Sequence, residues 1–226
     1  MKENYLINQN VVLRLQNEAK QLLQKSKLVF WGVVIILKEI ESYYFEDGEF
    51  MDNSVHRNEL QKNNSNHFYI HRKGKKRIDS YKGGKYPGID FVVSNDDNIY
   101  YSYLIRSAVI NGKLVVGPHK VLEEIQNVTK LSYNDIEKET IILEPNIIAK
   151  DVFFSERINL GKTVLKEYKE CKLRAVICDD LFREKGTKYP KKEELIINFL
   201  SNANMTKEEA MCYAKINLGY IPSSIK

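Results

Sequence analysis

The chain has 226 residues, with 35 Lys and Arg against 30 Asp and Glu, a formal net charge of +5, 43% hydrophobic residues and 29% charged ones. That length supports one sizeable core or at most two small ones, and the composition excludes intrinsic disorder, which needs far less apolar surface. The longest apolar run, Leu28 to Leu37, falls well short of the roughly 20 residues a membrane-spanning helix requires.

In chain order, Val11, Val12, Leu15, Ala19, Leu22 and Leu23 recur at helical spacing between Asn8 and Lys25, with Asn8 or Asn10 available as N-cap. Residues Leu28 to Phe45 are rich in β-branched and aromatic side chains and predict one long strand, or a pair turning near Gly32. Residues 46–66 are polar and irregular, a loop long enough to suggest a functional role. Strands are expected at His67–His71, Ile89–Ser94, Asn98–Ile110 and Leu114–Val116, the last two joined by an Asn111-Gly112 hairpin turn. Gly117-Pro118 predicts a helix start, followed by the apolar face Val121, Leu122 and Ile125 as far as Asn127. Further strands are expected near Thr140–Leu143, Asp151–Phe154 and Leu173–Cys178, and two amphipathic helices at Lys191–Ser201 and Thr206–Ile216.

Strands mixed with few helices, without βαβ alternation, predict an α+β fold. The expected organisation is a domain over residues 1–180, built on a curved, mainly antiparallel sheet flanked by helices, and a helical C-terminal extension over 181–226. Cys171, Cys178 and Cys212 are scattered, with no Cys-x-x-Cys pair, and predict reduced, buried thiols rather than a disulfide framework or a zinc site. Met1-Lys2-Glu3-Asn4 lacks the charged-then-apolar layout of a secretory signal. A cytoplasmic protein without a membrane partner is expected.

Two charged stretches carry the functional signal. From His71 to Lys85 seven cations (Arg72, Lys73, Lys75, Lys76, Arg77, Lys82 and Lys85) face only Asp79, a candidate track for a polyanion backbone. From Glu39 to Glu49 the chain is acidic and aromatic. Unbroken strand alternation puts Val33, Ile35, Leu37, Glu39, Glu41 and Tyr43 on one face. A core wall running into two carboxylates marks a cleft edge, where partial burial would raise a carboxyl pKa and suit it to activating water. His56, His67, His71 and His119 lack zinc-like spacing, and no metal site is expected from them. The sequence also lacks a Walker loop, a Gly-x-Gly-x-x-Gly helix start and a Gly-x-Ser-x-Gly elbow.

In order and spacing these pieces resemble the alkyladenine (3-methyladenine) DNA glycosylase family, across roughly residues 8–180. The similar segments are Glu39-x-Glu41-x-Tyr43, a loop histidine at His56, Phe68-Tyr69-Ile70-His71, Leu104-Ile105-Arg106-Ser107, Gly117-Pro118-His119-Lys120-Val121, and Arg157-Ile158-Asn159-Leu160-Gly161 followed by Leu173-Arg174. The resemblance implies a cofactor-free, monofunctional DNA N-glycosylase in which Glu41 is the general base for the water attacking the sugar C1′. Arg106 would hold a phosphate or help to position that water. Tyr43, His56, Tyr69, His71 and Asp90 would form the pocket for an extruded base, and Arg72, Lys73, Lys75, Lys76, Arg77, Lys82 and Lys85 would grip the backbone of double- or single-stranded DNA. Such an enzyme must flip its target base out of the stack.

Two departures stand out. The duplex-wedging tyrosine is missing or moved to Tyr81. Asp90 replaces an asparagine and, being acceptor-only, would favour bases with an exocyclic amino group. A non-catalytic nucleic-acid-binding protein on the same scaffold and a metal-dependent phosphodiesterase using Glu39, Glu41, His56 and His67 are the competing expectations.

Overall fold

A computed structural model describes residues 7–84, 87–178 and 191–225. Helix α1 (Gln9–Lys25) starts at Asn8, whose side chain accepts from the Asn10 N–H, and it buries the six apolar residues of the expected stripe. The β-rich stretch that follows is a strand pair, β1 (Ser26–Phe30) and β2 (Val33–Glu46), turning through Trp31 and Gly32, both at positive φ. The long loop holds a two-residue strand, β3 (Phe50–Met51), and a 3₁₀ turn at Glu59–Gln61 with an Asn58 capping box. Then come β4 (His67–Ile70), β5 (Ile89–Val92), β6 (Ile99–Ile110) and β7 (Lys113–Val116). Asn111 and Gly112 both have positive φ, as a tight hairpin turn demands.

Helix α2 (Pro118–Thr129) begins at its proline as expected. Two short helices, α3 (Tyr133–Lys138) and α4 (Lys166–Glu170), were not foreseen; one turn or so leaves no periodicity to read. Strands β8 (Ile142–Pro145), β9 (Val152–Ser155) and β10 (Arg174–Ile177) complete the sheet, and α5 (Lys192–Asn202) and α6 (Lys207–Leu218) form the C-terminal helical extension. The expected boundary at residue 180 lies outside the described residues.

The fold is α+β, with one curled, half-barrel sheet whose strand pairs are all antiparallel. The long β2–β6 ladder is its spine. At one end β1 and β7 flank it; at the other, β10 and β5 do. The main core lies on the face covered by α1 and α2, where Leu15, Leu23, Leu122 and Ile125 meet Ile40, Ile105, Phe91 and Ala175. A smaller core seats α5 and α6 against β9 and β10 through Phe153, Val176, Leu195, Ile196 and Ala214. Of the cysteines, Cys171 and Cys178 are buried, but Cys212 lies exposed on α6, which corrects the expectation of three buried thiols. No helix among the described residues is long and apolar enough to cross a membrane.

The β2 register overturns the expected alternation. Leu37 pairs with Ala108 and Glu39 with Ser107, leaving Lys38 as an extra residue on β2; Ile40 then pairs with Ile105, leaving Arg106 as the extra residue on β6. A bulge on one strand shifts the side-chain phase by one. Val33, Ile35 and Leu37 therefore share the core with Ile40 and Tyr44, not with Glu39, Glu41 and Tyr43. The two carboxylates and the tyrosine face the opposite side of the sheet.

Candidate active site

On that opposite side the register lines up one residue from each of six strands. Tyr69 lies across from Asp90, Asp90 from Leu104, Leu104 from Glu41, Glu41 from Arg174, and Arg174 from Ser155. Directly opposed side chains sit close together on one face. This row, buried beneath loops 47–66 and 156–165, underlies a cavity of about 850 Å³, toward the upper end of the roughly 300–1,000 Å³ typical of ligand sites.

Carboxylates and guanidinium groups build the floor. Arg174 donates from Nε to Glu39 Oε1 at 2.7 Å and from Nη1 to Ser155 Oγ at 3.1 Å. The bulge residue Arg106 donates from Nε to Glu39 Oε1 at 3.2 Å and lies 3.4 Å through Nη1 from Glu41 Oε2. Glu41 Oε1 accepts the Ile158 N–H at 2.9 Å, and Oε2 accepts the Tyr43 hydroxyl at 3.2 Å. Glu41 is 0% exposed, and that desolvation raises its carboxyl pKa despite the opposing pull of Arg106, the Ile158 N–H and Arg157. The carboxylate is thus one contact removed from the cavity, behind Tyr43, Arg106 and Ile158, all three of which line it.

Behind the tyrosine stands a residue to which the sequence assigned no role. Arg157 is buried, ion-paired with Asp52 at 2.6 Å, and also donates to the Ser42 and Tyr168 carbonyls and to Ser54 Oγ. Its guanidinium lies 4.8 Å from the centre of the Tyr43 ring, a cation–π contact that fixes the ring in the wall. Burial pushes the Tyr43 hydroxyl well up, as does the Glu41 charge, so the phenol remains a proton donor.

Another part of the wall is imidazole. His71 and His56 meet edge to face with ring centres 4.5 Å apart. Asp90 Oδ1 holds His71 Nε2 at 2.7 Å, while Oδ2 accepts Ser102 Oγ at 2.7 Å and Gln61 Nε2 at 3.3 Å. Burial pushes the Asp90 carboxyl up, but His71 and the Ser102 hydrogen bond outweigh it and the pKa is net lowered. His56 Nδ1 lies 3.1 Å from the Tyr69 hydroxyl and its Nε2 lies 2.8 Å from Lys82 Nζ. Burial, with His71 and Lys82 alongside, lowers the His56 pKa to about 3, so the ring is neutral at physiological pH.

The expected site residues thus divide. Tyr43, His56, His71, Asp90, Arg106 and Lys82 line one cavity. Tyr69 does not: it is fully buried and supports His56 from behind. Asp90 is engaged on both oxygens, so it works as the anchor of His71 rather than as a free acceptor for a base amino group. Arg106 is turned onto Glu39 and Glu41, away from a phosphate-gripping role. Arg72 is buried, paired with Glu137, and stacked at 4.0 Å from the Tyr81 ring, which removes it from the backbone track. Tyr81 is tied by its hydroxyl to Glu137 and Asn134, at 2.8 Å each, and is no free wedge.

Lys73, Lys75, Lys76 and Arg77 are exposed on the arm between Arg72 and Tyr81, whose tip carries Ile78, 86% exposed. The arm is pinned to the 3₁₀ turn by Asn58 Nδ2 donating to the Gly74 and Lys76 carbonyls and by the Glu59 N–H donating to the Lys75 carbonyl. Its roots, His71 and Lys82, lie in the cavity wall. Lys85 lies outside the described residues.

The four residues of the phosphodiesterase reading do not converge: Glu39 is held by two arginines and His67 binds the Ser65 carbonyl at 2.9 Å. Among the described residues no three His, Cys, Asp or Glu side chains are grouped to hold a metal ion. No family model matches the sequence, and no curated protein matches it either.

Proposed function

We propose that this protein is a DNA glycosylase-like hydrolase that receives an everted, modified base in the 850 Å³ cavity and cleaves its N-glycosidic bond with water activated by Glu41. The observation that carries this reading is a single cavity lined by Tyr43, Arg106, His56 and His71, with the Glu41 carboxylate directly behind Tyr43 and Arg106. Flat π-faces suit an extruded base, whose stacking contributes about 1–3 kcal/mol. A carboxylate beside the sugar suits the oxocarbenium-like charge of glycosidic cleavage.

In this reading the loose contacts on Glu41 Oε2, 3.2 Å from Tyr43 and 3.4 Å from Arg106, are where the attacking water enters. Catalytic hydrogen bonds are often long before substrate tightens them. Arg106 opposes the desolvation that raises the Glu41 carboxyl pKa, and Tyr43 holds the base above it. The exposed cations of the arm grip phosphates, and Ile78 at its tip is the apolar side chain suited to fill the gap left in the stack, a device used by DNA-kinking proteins. The reaction needs no metal or nucleotide cofactor.

One observation favours the competing reading, a nucleic-acid-binding protein without catalysis: both Glu41 oxygens already have donors. A panel of DNAs carrying single modified bases, incubated in EDTA and analysed for free base by mass spectrometry, separates the two. Release of one or a few bases, leaving alkali-labile sites, is the expected result. Binding with no base released from any substrate would overturn the glycosylase reading.

A further inference from the structure

Lys82, His119, Lys120 and Glu123 line the cavity without a part in hydrolysis by Glu41, and of the two lysines Lys82 is the one turned onto an imidazole. Lys82 lies in the cavity wall at the root of the basic arm, fixed by its backbone N–H to the His71 carbonyl at 2.9 Å. Its Nζ is 2.8 Å from His56 Nε2 and, among the described residues, forms no ion pair with a carboxylate. A lysine on a phosphate track stands in water, as Lys73, Lys75 and Lys76 do; this one is half-buried and turned onto an imidazole.

We infer that Lys82 is a nucleophilic amine, which forms a Schiff base with the C1′ aldehyde of a ring-opened abasic deoxyribose and so adds a strand-cleaving lyase activity to base excision. The inference rests on the proposed glycosylase reading, because the abasic sugar is the product that excision leaves in this cavity.

Three features support it. An ammonium withdrawn from water loses part of what stabilises its charge, and burial lowers the Lys82 pKa against the smaller opposing pull of Asp90. The partner of Nζ among the described residues is a neutral ring, and in the tautomer with the proton on Nδ1 its Nε2 accepts one hydrogen of the amine, which orients it and leaves its lone pair free once it deprotonates. Tyr43, His56 and His71 line the same cavity as Lys82, so an aldehyde formed there is in the compartment of the amine. Desolvated lysines in apolar or cationic surroundings are the usual source of such nucleophiles.

The steps balance. The amine lone pair adds to C1′, the carbonyl oxygen takes a proton, and loss of water leaves the iminium. A C2′ proton then passes to water, its electron pair forms the C2′–C3′ double bond, and the C3′–O bond breaks to release the 3′ phosphate. Water hydrolyses the conjugated iminium and returns the free amine.

The test uses the full chain and an oligonucleotide with a preformed abasic site, in sodium borohydride, which reduces the iminium to a stable secondary amine. The wild type should give a covalent protein–DNA band whose adducted peptide maps to Lys82. Lys82→Arg and Lys82→Gln should give at least about tenfold less, with thermal unfolding confirming that both variants are folded. No band from the wild type, an undiminished band from folded variants, or an adduct on another amine would overturn the inference. Because the site is preformed, trapping without base release would count against the glycosylase reading alone, and base release without trapping against the amine alone.

Discussion

Between Glu39 and Glu49 the first two carboxylates are buried among arginines while Asp47 and Glu49 stand in solvent; between His71 and Lys82, Arg72 is buried and Lys82 half-buried while the cations of the arm are exposed. The difference lies in what backs each stretch. Glu39 and Glu41 are on the spine strand of the sheet, so the ladder register decides where they point, and bulges at Lys38 and Arg106 turn them onto the cavity side of the sheet, where Arg106 lines the cavity and the two carboxylates lie buried behind it. The arm has no sheet behind it. It keeps its shape through the Arg72–Tyr81–Glu137 knot and the Asn58 hydrogen bonds, and it presents the rest of its charge outward.

The contrast yields predictions on both sides. Arg157→Ala should have the largest effect on stability, about 3–5 kcal/mol in denaturant unfolding, because it leaves Asp52 buried and unpaired. If the destabilisation stays below about 1 kcal/mol, the buried ion pair is not what clamps the floor. Neutralising Lys73, Lys75, Lys76 and Arg77 together should leave stability within about 0.5 kcal/mol per site. The slope of log affinity for duplex DNA against log salt should flatten by roughly 0.9 for each phosphate that the variant no longer neutralises. An unchanged slope would remove the arm from DNA binding.

Gly88→Ala probes the imidazole wall. An added Cβ would sit 2.9 Å from Leu104 Cδ1 and 3.0 Å from His71 Cε1, so His71 must shift by a few tenths of an ångström. Base release should fall several-fold with stability nearly intact, measured as single-turnover rate beside the thermal midpoint.

The smallest effect concerns pH. Glu41 must be ionised to act as a base, and burial raises its carboxyl above the ordinary 4.5, so base release should fall away on acidification at a pH above that value. For stability the sign is opposite: a raised carboxyl stabilises the fold below its unfolded pKa, and that contribution is lost as pH rises through the folded value. Glu41→Gln should flatten this part of the stability profile.

Much of the scaffold was legible because its signals are local: the α1 stripe, the Asn111-Gly112 turn, and Pro118 at a helix start. The bulge was not read, although its trace is in the sequence. Apolar positions run 33, 35 and 37, then switch parity to 40 and 44, and a phase change in a strand is what an inserted residue produces. The sequence picks out Tyr43, His56, His71 and Arg106, which the fold gathers around one cavity, whereas Tyr69 and Arg72 are buried away from it, since burial by a partner distant in the chain leaves no local mark. Arg157 with Asp52, and Gln61 with Ser102, are equally nonlocal; the sheet register and the loop over it bring them together.

The central claim, that Glu41 activates water beneath a base held in the cavity, is tested most directly by one sample of Glu41→Gln carried through two assays. It should bind DNA with the affinity and salt dependence of the wild type, while base release falls by roughly 10²–10⁴-fold. Base release at the wild-type rate by this variant would contradict the claim.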